Sequence, residues 1–174
     1  MFSYAAPAGT ITGEIMITIA DVLARIAVIQ REIISPDTGA AMVSYDNIPY
    51  TISGVDMPLF VNFAKPMTKS DIIGEDAKGR DFNDTRNYDM ILYHSGYGQG
   101  VEQEKSGALT PYFDLMLNKF GAYPHLKGLP GVLDAQITSD SGSVAVNFVG
   151  QSYFGARFTL TVITKVRRPL ASLE

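Results

Sequence analysis

The chain has 174 residues, 46% of them hydrophobic, and a formal net charge of −4, with nine tyrosines and nine phenylalanines. That length and composition suit one domain with a real core and exclude global disorder. The mild acidity is a poor basis for tight, sequence-independent DNA binding, which depends on Lys and Arg neutralising phosphates. The absence of cysteine removes disulfides, thiolate zinc sites and cysteine nucleophiles together, and fits a reducing compartment.

Residues 1–17 carry Gly and Pro and read as an N-terminal arm, apolar and rich in small residues, with Phe2 and Tyr4. The arm contains no Lys or Arg and no long apolar run, so a signal peptide is not expected. No stretch of the chain approaches the ~18 consecutive apolar residues of a membrane span. A soluble intracellular protein, with no membrane partner, is the expectation.

The stretch TIADVLARIAVIQREII follows, with Ile19, Val22, Leu23, Ile26, Ile29 or Gln30, and Ile33 at helical spacing. Thr18 as N-cap with Asp21 three residues on has the form of a capping box. The pattern predicts a helix over 19–34, stopped by SPDTG. Short extended pieces come next, AMVSY, YTIS and LFVNF, punctuated by Pro49, Pro58 and Pro66 as edge or irregular strands would be.

Residues 65–87 contain few apolar side chains and balance five bases (Lys65, Lys69, Lys78, Arg80, Arg86) against five acids (Asp71, Glu75, Asp76, Asp81, Asp84). They read as a long loop, and loops of that length are usually functional or disordered. A strand, YDMILYH, resumes with Tyr88, Met90 and Leu92 on one face. TPYFDLMLNKFG is a second helix, with Thr110 as N-cap, Pro111 at the first helical position, Gly121 as stop, and Phe113, Met116, Leu117 and Phe120 as its apolar face. The preceding VEQEKSGAL adds a turn or two, broken near Gly107.

In the last third, VLDAQIT and SVAVNFV flank SDSG, a hairpin turn by composition. In FGARFTLTVITKV, Phe154, Ala156, Phe158, Leu160 and Val162 alternate with mostly Thr and Arg, the mark of a half-buried antiparallel strand. The order helix, strands, helix, strands predicts an α+β fold, a mainly antiparallel β-sheet with two α-helices packed on one face. The expected organisation is the arm 1–17, one domain over 18–168 with the loop 65–87, and a tail over 169–174.

Motifs for chemistry fail on inspection. GYGQGVEQEKSG suggests a phosphate loop, but a Walker loop needs glycines where Gln99 and Glu104 stand before Lys105 and Ser106, and Glu102 and Glu104 would face the phosphate. Gly96, Gly98 and Gly100 do not satisfy the dinucleotide spacing either. The stretch reads as a flexible connection into the second helix. His94 and His125 lack ligand partners at metal-binding spacing, and GQSYFG around Ser152 departs from the nucleophile elbow at Phe154. They read as ordinary strand-end and loop histidines. DFNDTRNYD begins like a calcium loop at Asp81 and Asn83 but puts Thr85 and Arg86 where a ligand and a glycine belong. Lys165, Arg167 and Arg168 form the one clustered positive run, either a solvated chain end or a contact for an acidic partner or DNA backbone. No catalytic residue, cofactor or metal is expected.

The arrangement resembles the tail terminator family of long-tailed bacteriophages over about residues 15–168. The resemblance is carried by the order and lengths of four pieces: the amphipathic ADVLARIAVIQREI, RNYDMILYH ending the charged insertion, the helix opening onto YPHLKGLPG, and the closing YFGARFTLTVITKV with its basic end. Related neck proteins, the tail-completion and head-closure factors, share the organisation. The resemblance implies a structural virion protein that forms a ring, commonly hexameric, on the tail tube. Such a ring ends tube polymerisation and presents the head-joining surface. The implied partners are other copies of the chain, the tail tube protein, a head–tail connector or head-closure protein, and genomic DNA passing without specific binding. The implied location is the virion neck, and the host cytoplasm during assembly. A ring needs two different complementary patches per subunit. Lys65, Lys69, Asp71, Glu75, Asp76, Lys78, Arg80, Asp81, Asp84 and Arg86 are candidates for a subunit or tube contact, Lys165, Arg167 and Arg168 for a basic contact, and an exposed sheet edge for strand pairing. Two other classes remain open: a small phosphate-directed enzyme using Gly96 to Ser106, and a cellular binding module.

Overall fold

The computed structural model describes residues 17–76, 78–98 and 106–169. The N-terminal arm and most of the glycine-rich stretch lie outside these residues. Among the described residues two helices, α1 (Ile19–Gln30) and α2 (Thr110–Gly121), pack on one face of a six-stranded sheet. Its strands are β1 (Val43–Tyr45), β2 (Leu59–Asp76), β3 (Gly79–Gly96), β4 (Val132–Asp140), β5 (Val144–Phe148) and β6 (Gln151–Pro169). The order is β1-β2-β3-β6-β4, with β5 also on β6; the β1–β2 pair is parallel and the other described pairs are antiparallel. The fold is α+β, as the element order predicts.

The capping box forms: Thr18 Oγ1 accepts from the Asp21 amide, and the Thr18 amide donates to Asp21 Oδ2 at 2.8 Å. These bonds hold the Asp21 carboxyl below its usual range. The helix stops at Gln30, four residues short of the predicted end. Its buried Gln30 side chain bonds Asn62 on β2, and the chain turns so that Ile34 bridges Ala41 and Ile33 still reaches the core. Helix α2 begins with Thr110 inside its first turn and Leu109 as N-cap without a side-chain bond, so Thr110 does not cap it. The residues before it form a 3₁₀ turn, Ser106–Leu109. Its buried face is Tyr112, Met116 and Phe120, with Phe113 packed at the edge, whereas Leu117 is 47% exposed. Of the extended pieces, YTIS is not a strand; a 3₁₀ turn at Gly54–Asp56 follows it.

The alternation in β6 sets the main core. Phe154, Ala156, Phe158, Leu160 and Val162 face the helices, with Tyr88, Met90 and Leu92 beside them on β3. Phe158 lies 5.2 Å from the Phe113 ring and 6.4 Å from Phe60. On the opposite face, at the other end of the same strands, a smaller core forms from Leu59, Val61, Ile91, Tyr93, Val146, Phe148 and Tyr153. Ile52 and Met57 pack on it, so the segment before β2 covers the back of the sheet there.

Two expectations are corrected. SDSG does not close a hairpin: β4 and β5 both pair with β6, β4 along 158–164 and β5 along 151–155. The hairpin is β5–β6, turned by Val149 and Gly150 at φ 46° and 79°, the left-handed pair that a two-residue turn requires. Valine is a poor occupant there, because its branched Cβ crowds the backbone. Val149→Asn is therefore expected to raise unfolding stability by about 1 kcal/mol, measured by urea titration.

The second correction concerns 65–87, which is no loop. Strands β2 and β3, 18 residues each, run through it as one long antiparallel hairpin whose last pair is Asp76 with Gly79. Beyond the helices, β2, β3 and the end of β6 form a three-stranded projecting ribbon.

Candidate assembly surface

The ribbon is built from charge. Arg167 of β6 reaches across β3 to both carboxylate oxygens of Asp76 at 2.6 Å and to Asp81 at 3.3 Å. Gly79 makes the crossing possible, since a Cβ there would lie 2.8 Å from the Arg168 carbonyl and 3.4 Å from the Arg167 Nε. Arg168 bonds Asp84 at 2.5 Å and stacks 4.3 Å over the Phe82 ring; Ser70 joins Asp84 from β2. Lys165 meets Asp81, Arg80 meets Glu75 and Lys69 meets Asp71 at 3.6, 2.9 and 2.7 Å. At the base of the ribbon Lys65 pairs with Asp89 at 3.1 Å, and Arg86 donates to the Lys65 carbonyl. The proposed contact residues and the basic run thus meet mostly one another, which makes the ribbon a self-neutralised, ordered extension of the sheet. Exposed pairs of this kind contribute individually little to stability, but here they join three strands.

The Arg167 guanidinium, with the Lys78 and Gly79 amides, holds the Asp76 carboxyl below its ordinary value. A depressed carboxylate contributes stability that is present above the unfolded value and lost as pH falls through the folded one. The ribbon tip should therefore loosen first on acidification. Amide signals of Gly79 and Arg80 are expected to shift below the ordinary aspartate range while those of Phe158 and Leu160 hold. Simultaneous movement of all four would contradict this.

Both long edges of the sheet are blunted against strand pairing. Three register shifts separate Leu59–Tyr93 from Asp76–Gly79, and each puts the extra residue on β2, near Pro66, at Thr68 and at Ile73. Edge strand β4 carries two more. Bulges and edge prolines are devices that prevent edge-to-edge association, so the sheet edge is poorly suited to the strand-pairing contact raised above. The bulge at Ile73 has another effect: Ile72 and Ile73 oppose the single Phe82 and stand 58% and 49% exposed near the tip.

His94 occupies the bulge of β3, between the Tyr93–Gly155 and Ser95–Phe154 pairs. Its Nε2 lies 2.7 Å from Asp37 Oδ2, the same oxygen that accepts from Tyr112 Oη at 2.8 Å; Tyr112 Oη is also 2.8 Å from Ser35 Oγ. Burial pushes the Tyr112 hydroxyl up to about 12, ahead of the effects of Ser35 and Asp37. The cluster ties the loop after α1, strand β3 and helix α2 together. Sequence spacing did not reveal it. The other imidazole nitrogen, Nδ1, is buried and has no hydrogen-bond partner among the described residues. His125 lies in the turn after α2, where its carbonyl accepts from the Leu129 amide. Ser152 bonds Asn147 across the β5–β6 hairpin. Residues 99–105 of the glycine stretch lie outside the described residues. No group of three or more His, Cys, Asp or Glu among the described residues is placed to hold a metal ion.

The strand ends opposite the ribbon form a second surface. Tyr50 is 99% exposed and Val55 93% exposed, and Ile48, Tyr97 and Val149 are also open to solvent. Between them lies a groove of about 420 Å³ lined by Ile52, Met57, Ser95, Gln151 and Tyr153. Lys and Arg are absent from 46–58, 94–98 and 147–155. Aromatic enrichment with charge depletion is the compositional mark of interface cores. No protein-family model and no curated protein matches the chain.

Proposed function

We propose that the chain is a structural assembly subunit rather than an enzyme, and that its work is done by protein–protein contact. The observation that carries this reading is the ribbon: three strands extended past the helices, neutralised internally and bearing two exposed isoleucines at a bulge near its end. A projection of that kind costs surface without adding core, and solvent-facing isoleucines on it are what a partner would cover.

Within that class the proposal is a tail terminator of a long-tailed bacteriophage, or a close neck relative. The subunit would form a ring on the end of the tail tube, stop its growth and present the surface that joins the filled head, at the virion neck. The support is the resemblance in element order and lengths, together with an α+β organisation of the expected kind. DNA would pass such a ring without being held. The pairing of Lys165, Arg167 and Arg168 with Asp76, Asp81 and Asp84 leaves little unbalanced positive charge on that strand end.

The test is to mix the purified protein with assembled tail tubes and image them by electron microscopy. Density capping one tube end, with tubes held at fixed length, is expected. Tubes that keep growing uncapped would overturn the terminator reading, and nucleotide binding by the glycine stretch would favour the enzyme instead.

A further inference from the structure

We infer that the ribbon tip of one copy docks into the groove at the opposite pole of a second copy. The contact is heterologous, and it brings Ile72 and Ile73 against Ile52, Met57 and Tyr153. The inference rests on the ring-forming part of the proposed function and is independent of the tail tube.

The two surfaces are ends of the same strands. β3 runs from the tip at Gly79 to the groove at Gly96, about 55 Å for a strand of that length. They cannot meet within one copy, and they differ in shape: one is a protrusion bearing two isoleucines side by side at a bulge, the other is concave. The charges beside the isoleucines are mostly matched, Lys69 by Asp71 and Arg80 by Glu75, and the groove segments carry no Lys or Arg. The remaining charges are opposite. Lys78 at the tip turn and Asp56 beside the groove are both exposed, and neither has an ion-pair partner among the described residues.

Val149 points the same way. A β-branched residue held at φ 46° and 78% exposed is strained where asparagine would serve the turn better. Strain of this kind persists where a side chain is wanted for another purpose, and an apolar contact at this pole supplies one.

A second copy is the occupant that satisfies both surfaces at once. Each chain carries one tip and one groove, so every subunit in a closed array covers both, whereas an unrelated partner at either end leaves the other apolar surface open. Unlike patches joined by a fixed rotation close into a ring or continue as a filament. The blunted edges of β2 and β4 direct association away from strand pairing and toward these poles.

The cysteine-free sequence makes the test direct. Ile73→Cys and Val55→Cys, both at exposed positions outside the core, are prepared separately, mixed at high concentration and oxidised. The mixed disulfide is expected at least about tenfold above that formed by Ile73→Cys with Ile34→Cys, an exposed control on another surface, because docking raises the local thiol concentration. A predominant Ile73→Cys homodimer would mean that arms meet arms, and would overturn the inference. So would mixed product no greater than the Ile34 control, or none. The experiment uses the protein alone: tip-to-groove product with uncapped tubes would leave the inference standing and remove the terminator reading, and capped tubes without product would do the reverse.

Discussion

Gly155→Ala is expected to destabilise the protein by about 3 kcal/mol. Gly155 sits on β6 opposite Tyr93, immediately beside the bulge that His94 makes in β3. A Cβ built on it would stand 1.9 Å from the Leu92 carbonyl oxygen and 2.9 Å from Val146 Cγ2. The first of these is backbone within a ladder and has no rotamer with which to yield. Either β3 moves away, breaking pairs that hold Leu92 and Tyr93 in the two cores, or the β5–β6 hairpin shifts outward and opens the packing around Val146. Gly54→Ala is the matched control, since nothing lies within 4 Å of a Cβ there, and it should change stability by less than about 0.5 kcal/mol. Urea unfolding of the three proteins reads the difference. A Gly155→Ala midpoint equal to that of Gly54→Ala would mean that the strands do not approach so closely.

The same bulge illustrates what the amino-acid sequence reveals of this fold. Helix α1 and its capping box were legible because both lie within a few residues and obey one period. The buried face of β6 was legible for the same reason, as was the α+β class that follows from the element order. The ribbon was not. Its strands carry charge on both faces and satisfy it across strands, so no apolar alternation marks them, and three extra residues on β2 break the period of two. A polar, balanced stretch such as 65–87 reads as loop unless its partners are known, and Arg167 lies 91 residues from Asp76. SDSG misleads because turn composition reports that the chain turns, not which strand the next one pairs with.

The candidate surfaces divide in the same way. The charged residues of 65–87 read in sequence as a loop free to contact a neighbour, yet in the ribbon they pair mostly with one another, and no local pattern marks the exposed Ile72 and Ile73 beside them. The groove at the other pole is assembled from three segments around residues 52–57, 95–96 and 151–153, none with a local motif. The Asp37–His94–Tyr112 cluster spans 57 and 75 residues in sequence. Its histidine was identified as a strand-end residue, which it is, but its partners could come only from the fold.

The second large effect is expected at a buried polar network between α1 and the sheet. Asn62 on β2 accepts from Gln30 Nε2 at 3.0 Å and donates to Gln30 Oε1 at 2.9 Å, to Ser44 Oγ at 3.2 Å and to the Tyr45 carbonyl at 2.9 Å. Ser44 in turn donates to Gln30 Oε1 at 2.5 Å. All three side chains are buried, so each is costly to leave without a partner. Asn62→Ala strands the buried Gln30 amide donor and takes a donor from the part-buried Tyr45 carbonyl, and should cost about 3 kcal/mol. A change that removes the polar groups together behaves differently. Gln30→Leu with Asn62→Leu takes away both amides and fills the space with carbon, and leaves only Ser44 and one carbonyl to satisfy. The double variant is therefore expected to recover more than half of the loss, because the penalty lies in the orphaned group rather than in the missing bonds. Chemical denaturation of Gln30→Leu, Asn62→Leu and the double variant measures the coupling, with Asn62→Ala as the orphaned-donor reference. A double variant as unstable as Asn62→Ala would show that the network fixes the angle of α1 on β2 by geometry that leucines cannot reproduce.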